Sequence, residues 1–188
     1  MRHRWLAALA LASLCAAPAT AQDDVKARTD AARAAALEFG AALIGELQKA
    51  MAAGGPVDAI AVCNTIAPGI AAEKSAAKGM TIGRTSLKLR QPKNAPDAWE
   101  LRQLLSFEQR RAAGETPASL EIGEFVDGNG KREFRYMKAI PTAELCLNCH
   151  GSTLKPEVTA KLQELYPGDA ATGYKAGDLR GAFTITQQ

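Results

Sequence analysis

The residues whose types and spacing could do chemistry lie in the C-terminal third of the chain, in the run Cys146-Leu-Asn-Cys149-His150. Two thiols three positions apart can form thioethers with the two vinyl groups on one edge of a porphyrin. The imidazole of the next residue then lies beneath the iron. The motif therefore predicts one covalently attached haem c, held by Cys146 and Cys149, with His150 as the proximal iron ligand.

The same cysteine spacing also suits redox-active thiols, half of a zinc site or a disulfide. A zinc site needs a second pair of ligands, and beyond position 21 the sequence has no second C-x-x-C pair and no other histidine. A thioredoxin-like motif starts a helix after a strand of a βαβ unit, whereas Cys146 follows Ile140-Pro141 and a polar turn. The adjacent histidine favours haem attachment over these alternatives.

Residues 1–21 have the features of a secretory signal peptide. Positive charge at Arg2 and Arg4 precedes a short apolar run, and Ala19-Thr-Ala21 forms a cleavage site. The apolar run is too short to span a bilayer, and no later segment is long and apolar enough to do so. We therefore expect a periplasmic or secreted protein in which residues 22–188 form a single haem-binding domain without a membrane span.

Composition limits the classes of partner. The chain has 23 Lys and Arg against 20 Asp and Glu, and two of the basic residues lie in the expected signal peptide. This balance gives no support for nucleic-acid binding. Apolar residues make up 47% of the sequence and aromatic residues 5%. A core is therefore expected to consist mostly of Ala, Leu, Ile and Val.

The position opposite His150 on the iron has several candidate ligands. The other histidine is His3, in the expected signal peptide, so two histidine ligands from one processed subunit are excluded. Three methionines are candidates: Met51, Met80 and Met137. All three precede the motif, unlike the ligating methionine of typical soluble carriers, and core packing is the better explanation for each of them. The thiol of Cys63, another group, water or an open position are the remaining alternatives.

Cys63 is the odd thiol once Cys146 and Cys149 carry thioethers. Exported proteins seldom keep a lone thiol, so this residue needs an explanation. One explanation is a small buried apolar side chain, and the other is an iron ligand. Cys63 shares an apolar helix face with Ile60 and precedes Pro68.

The hydrophobic periodicity predicts helices in the first part of the chain and antiparallel strands later. Helices are expected over 24–53, 57–66, a short stretch ending at Lys78, 98–113 and 156–165. Strands are expected over 81–90, 120–126, 131–140 and 179–186. Gly54-Gly55-Pro56 should break the first helix, and Asp127-Gly-Asn-Gly130 should form a hairpin turn. The first helix carries an apolar stripe formed by Leu37, Ala41, Ile44, Leu47 and Met51. This order predicts one α+β domain.

Three basic residues on the predicted strand 81–90 are candidate partners for the haem propionates: Arg84, Lys88 and Arg90. Guanidinium groups form bidentate pairs with carboxylates, which suits this role. A solvated strand face is the alternative interpretation.

Several separated segments resemble a known family. Ala61-Val-Cys-Asn-Thr-Ile-Ala-Pro-Gly-Ile70 resembles the cysteine segment of exported c-type haem domains with a PAS-like fold, which also form the sensor parts of membrane histidine kinases. Residues 84–100 resemble the family's second signature, although Gln91 stands where the family has Asn. Gly173-Tyr174 and residues 177–181 resemble its closing one. The resemblance implies a PAS-like antiparallel sheet flanked by N-terminal helices. It also implies His/Cys ligation of the iron, which carries over to His150 and Cys63.

Together these features predict an exported monohaem protein that senses redox state or a small diatomic ligand and signals through a partner protein. A low-potential electron carrier is the main alternative, in which both iron ligands stay fixed. A haem enzyme would need a further acid–base residue, and no histidine remains for that role, so no enzymatic activity is expected.

Overall fold

The structure is a computed structural model that describes residues 21–128 and 130–188. Its helices are α1 (Ala21–Thr65), α2 (Ala67–Lys78), α3 (Ala98–Ala112), α4 (Leu147–His150) and α5 (Pro156–Leu165). Its strands are β1 (Thr81–Thr85), β2 (Glu121–Gly128), β3 (Lys131–Pro141) and β4 (Leu179–Gln187). The expected signal peptide lies outside the described residues, except for Ala21 at the start of α1.

The four strands form one antiparallel sheet in the order β1-β4-β3-β2. β2 and β3 form the hairpin that the Asp-Gly-Asn-Gly run predicts, and Gly130 has the positive φ of 76° that such turns require. The β3–β4 register shifts between Ile140 and Pro141. The ladder ends there, and the chain leaves the sheet towards the Cys146 motif.

Each face of the sheet is covered by a helix. Phe134 and Tyr136 of β3 are buried against Phe39 of α1. Met137 and Ala139 point to the opposite face and are buried in the cluster that contains Trp99 and Leu104 of α3. This alternation is the period of two expected for a strand buried on both faces. The predicted α+β class, with an antiparallel sheet flanked by helices, is confirmed.

Glycine and proline divide the N-terminal helical region as predicted. Inside α1, Gly55 has φ 76° and ψ −159°, so Gly54-Gly55-Pro56 separates two helical arms. The second arm, which carries Cys63, packs through Ile60 against Val158 and Leu162 of α5. The arm that carries Cys63 is therefore packed against α5.

One prediction about this region was wrong. The strand predicted over 81–90 ends at Thr85, because the chain turns at Ser86, whose hydroxyl donates to the carbonyl oxygen of Arg180 at 2.8 Å. A Cβ on Gly181 would overlap the Thr85 carbonyl oxygen, so glycine is needed where β4 passes this turn. The apolar stripe predicted on the first helix includes side chains that the protein core leaves uncovered: Leu37 is 54% exposed and Ile44 is 43% exposed.

Within residues 21–128 and 130–188, no single helix is both long and apolar enough to cross a bilayer. α1 and α2, which are bent by 44° relative to each other, are long and apolar enough as a pair.

Candidate haem-binding site

A cavity of about 820 Å³ lies between α1, the turn after β1 and the segment that carries the C-x-x-C-H motif. Its size falls within the range of about 300–1,000 Å³ typical of cofactor and ligand sites. Every member of the apolar stripe on α1 lines it: Leu37, Ala41, Ile44, Leu47 and Met51. The stripe that resembled a core face in the sequence is therefore the apolar wall of this cavity.

His150 ends α4 and directs one ring nitrogen at the cavity. Its Nδ1–H donates to the carbonyl oxygen of Ala171 at 2.6 Å, which leaves Nε2 with its lone pair. Nε2 lies 3.4 Å from Nη1 of Arg90 and 3.5 Å from Nε of Arg180. Burial, together with the charges of Arg180 and Arg90, lowers the pKa of His150 to about 2. The imidazole is therefore neutral at physiological pH, which is the form that binds a metal.

The two motif cysteines are held in one turn of chain. Cys146 ends a 3₁₀ turn, Glu144–Cys146, and Cys149 lies inside α4. Because residues three apart in a helical turn share a face, both thiols line the same cavity as His150. The Cys149 sulfur lies 4.0 Å from the Pro56 carbonyl oxygen, and burial raises the pKa of this thiol to about 11.

Cys63 lines the same cavity from the second arm of α1, far from the C-x-x-C-H motif in the sequence. Burial raises the pKa of its thiol, although the charges of Arg84, Arg90 and Arg180 act in the other direction. Without a metal this residue is therefore a neutral thiol at physiological pH. Of the three candidate methionines, Met51 lines the cavity. Met80 packs against the core beneath α1, and Met137 is fully buried in the core beneath α3.

The structure separates the three predicted propionate partners. Arg84 lines the cavity, and burial lowers the pKa of its guanidinium. Arg90 also lines the cavity but forms an ion pair with Asp169. Lys88 lies outside the lining, since its ammonium donates to the Thr172 carbonyl oxygen at 2.9 Å and stands over the ring of Tyr174. The turn after Thr85 causes this separation, because the three residues no longer alternate along one strand.

Arg180 is a cavity residue that the sequence analysis did not single out. Burial lowers the pKa of its guanidinium, and its Nη1 donates to the Ser86 hydroxyl at 2.9 Å. Within the described part of the chain, no carboxylate forms an ion pair with Arg180 or Arg84. The family resemblance could have pointed to Arg180, because this residue lies in the closing segment 177–181 that resembles the family. The cavity lining thus carries the guanidinium groups of Arg84, Arg90 and Arg180, of which Arg90 alone is ion-paired to a carboxylate in the described part of the chain. Such groups are suited to bind an anion.

The fold and site together define an α+β protein whose apolar cavity presents a C-x-x-C-H motif, a third thiol and unpaired arginines. The chain belongs to the Tll0287-like family, whose model matches residues 14–187. The family resemblance drawn from the separated sequence segments is thereby confirmed.

One solved structure similar to this chain is described as the cyanobacterial heme-protein Tll0287. It is 24% identical, the match covers 90% of this chain and 96% of that one, and the TM-score is 0.59. At this level of identity the likeness concerns the fold. No curated protein matches the chain.

Proposed function

We propose that the chain is an exported c-type haem protein with one haem in the cavity described above. Cys146 and Cys149 would hold the haem covalently, and His150 and Cys63 would be the two protein ligands of its iron. The observation that carries this proposal is the meeting of Cys63 with the C-x-x-C-H motif in one apolar cavity, although they lie far apart in the sequence. The description of a similar protein as a heme-protein supports it.

The residues of the cavity fit this cofactor. A haem is flat and largely apolar, and its two propionates are anionic. The stripe on α1 offers an apolar wall that includes the exposed side chains of Leu37 and Ile44, which a porphyrin would cover. Arg84 and Arg180 offer buried positive charge, and neither forms an ion pair with a carboxylate in the described ranges. This arrangement suits a large, mostly apolar ligand with two negatively charged groups better than a purely polar ligand.

The side chains of this chain have distinct tasks in the proposal. When bound, the haem supplies an iron that changes between ferric and ferrous states. His150 offers Nε2, because Ala171 holds the proton on Nδ1. Cys63 offers sulfur, and a coordinated thiol loses its proton even where burial disfavours the free thiolate. An anionic sulfur ligand offsets charge on ferric iron, so the potential should be low.

The sensing function depends on whether Cys63 stays bound after reduction. Reduction of a bound haem would remove one positive charge from the iron, and this would weaken its attraction for the Cys63 thiolate. Gly55 separates the arm that carries Cys63 from the rest of α1, and Met51 lines the cavity from the first arm. Release of Cys63 would free the position for a diatomic ligand or for Met51, and a partner protein would detect the altered arm.

A low-potential electron carrier is the second candidate, and one observation favours it. Ile60, three residues before Cys63, is 2% exposed and packs against Val158 and Leu162 of α5. This contact holds the arm in place and opposes movement of Cys63. In a carrier both ligands would remain bound in the ferric and ferrous states.

Ligand exchange on reduction distinguishes the two functions. For a sensor, we expect the ferrous protein to lose its sulfur ligation and to bind carbon monoxide rapidly. The measurement compares the absorption spectra of the ferric and ferrous protein, followed by addition of carbon monoxide. An unchanged ligand set with no carbon monoxide uptake would favour the carrier.

Replacement of Arg84 or Arg180 by Gln is expected to lower the reduction potential by tens of millivolts. Loss of a nearby positive charge favours ferric iron, and two charges about 10 Å apart interact by about 1–2 kcal/mol at an effective dielectric constant of about 20. Lys88→Gln is the matched control, because it removes the same charge from outside the cavity. Spectroelectrochemistry measures the potentials. If all three variants keep the potential of the parent, neither arginine binds a propionate.

A further inference from the structure

Asp169 and Arg90 form a buried ion pair beside the candidate iron ligand. Their side chains are 9% and 10% exposed. The pair is bidentate, with Nε of Arg90 3.1 Å from Oδ1 of Asp169 and Nη2 2.9 Å from Oδ2. Asp169 lies in the loop between α5 and β4, and no sequence motif indicated a role for it.

Both members of the pair contact the backbone that orients His150. Oδ1 of Asp169 accepts from the Ala171 amide at 2.8 Å. Nη2 of Arg90 donates to the carbonyl oxygens of Cys149, at 2.6 Å, and Ala171, at 3.3 Å. The Ala171 carbonyl is the acceptor for Nδ1–H of His150. The ion pair therefore fixes the two chain segments, 149–150 and 169–171, whose relative position sets the direction of the imidazole.

The pair also contributes to the charge around Nε2. Two guanidinium groups face this nitrogen, Arg90 at 3.4 Å and Arg180 at 3.5 Å. Arg84 is close enough for its charge to act on His150 as well. Asp169 is the carboxylate that neutralises one of these three charges, since it pairs with Arg90.

We propose that Asp169 and Arg90 are positioning residues that fix the orientation of the His150 imidazole and set the charge beside Nε2, and thereby tune the reduction potential of the bound haem. This inference rests on the proposed function. Outer partners of a metal-bound histidine commonly tune the metal in this way. Here the carbonyl of Ala171 is the direct partner, and the ion pair acts through it.

The test compares the reduction potentials of loaded Asp169→Asn and Arg90→Gln with that of the parent. Asp169→Asn leaves the charge of Arg90 uncompensated, which disfavours ferric iron, so the potential should rise. Arg90→Gln leaves the carboxylate uncompensated, so the potential should fall. Glu115→Gln is the matched control for the first variant, because it removes one carboxylate from the exposed Arg110–Glu115 pair on the surface. It should leave the potential unchanged.

Shifts of opposite sign support a charge role, because a merely structural defect would not follow the sign of the removed charge. If Asp169→Asn behaves like Glu115→Gln while its haem remains attached, the inference is wrong and the proposed function stands. A parent chain that carries no covalent haem would overturn both.

A second measurement covers the case in which a single variant fails to fold, since an unpaired buried charge is strongly destabilising. The double variant Arg90→Gln/Asp169→Asn leaves no unpaired charge at this position. In the loaded ferrous protein, hydrogen exchange of the His150 Nδ1–H can be followed by NMR, because this is the one histidine in residues 22–188. We expect faster exchange in the double variant than in the parent. Equal exchange rates would contradict a positioning role.

Discussion

A chain that carries both Cys146→Ser and Cys149→Ser is expected to lose covalently bound haem completely. The two thiols line the cavity from the turn that also carries His150, so both would be available to form thioethers with a haem bound there. Serine keeps the size of the side chain but cannot form the thioether. The measurement is haem staining of denatured, acid-acetone-treated protein from a host with cytochrome c maturation.

Cys63→Ser is the control for this experiment. It removes a thiol from the same cavity but not from the attachment motif, so its haem stain should survive denaturation. Covalent haem in the double serine variant would contradict the assignment of the attachment site. Loss of the stain in both chains would show that the thiols act on folding or maturation in general.

Cys63→Ser is further expected to abolish the sulfur-to-iron charge-transfer bands of the ferric protein and to raise its reduction potential. Axial ligands set the potentials of haem proteins over a range of about 0.8 V, so a rise on the order of 100 mV or more is expected. Burial raises the pKa of the free Cys63 thiol, so a thiolate signature at neutral pH would itself indicate coordination. Absorption spectroscopy and a redox titration measure the two effects.

Met51→Leu is the matched control, because Met51 is the other sulfur-bearing candidate ligand in the cavity lining. It should leave the ferric spectrum and the potential as they are in the parent. The reverse pattern, with no change in Cys63→Ser and a large change in Met51→Leu, would assign the ligand to Met51. That outcome would overturn the sensing mechanism built on Cys63.

Local signals in the sequence predicted much of the fold. Gly54-Gly55-Pro56 breaks α1 because glycine tolerates the positive φ at Gly55 and proline cannot continue a helix. Pro156 starts α5 as predicted, since its fixed φ suits the first helical turn. The backbone conformation at each of these positions depends on a few neighbouring residues, so it can be predicted from a single sequence.

Contacts between distant segments could not be predicted in this way. The strand through Arg84, Lys88 and Arg90 was expected to continue, but Ser86 bonds to the backbone of Arg180 and turns the chain. This turn also changes which residues line the cavity, because Arg84 and Arg90 line it while Lys88 does not. No sequence feature pointed to Asp169, because its proposed role depends on Arg90, which lies 79 positions away.

The stripe on α1 shows a different limit of sequence patterns. The spacing of Leu37, Ile44 and Met51 correctly predicts one apolar helix face, but periodicity cannot tell a face that packs on protein from one that lines a ligand site. In the structure Ala32, Ala36 and Phe39 pack on the sheet, and Leu37, Ile44 and Met51 line the cavity. Large exposed apolar residues beside a haem motif are therefore informative about the site.

The position of the iron in crystals of the loaded protein tests the central claim most directly. Anomalous scattering at the iron edge locates the metal without assumptions about the protein. The account predicts one iron per chain, bonded to Nε2 of His150 on one side and to Sγ of Cys63 on the other in the ferric state. An iron bonded to Met51 in place of Cys63, or one outside the cavity bounded by α1 and α4, would contradict it.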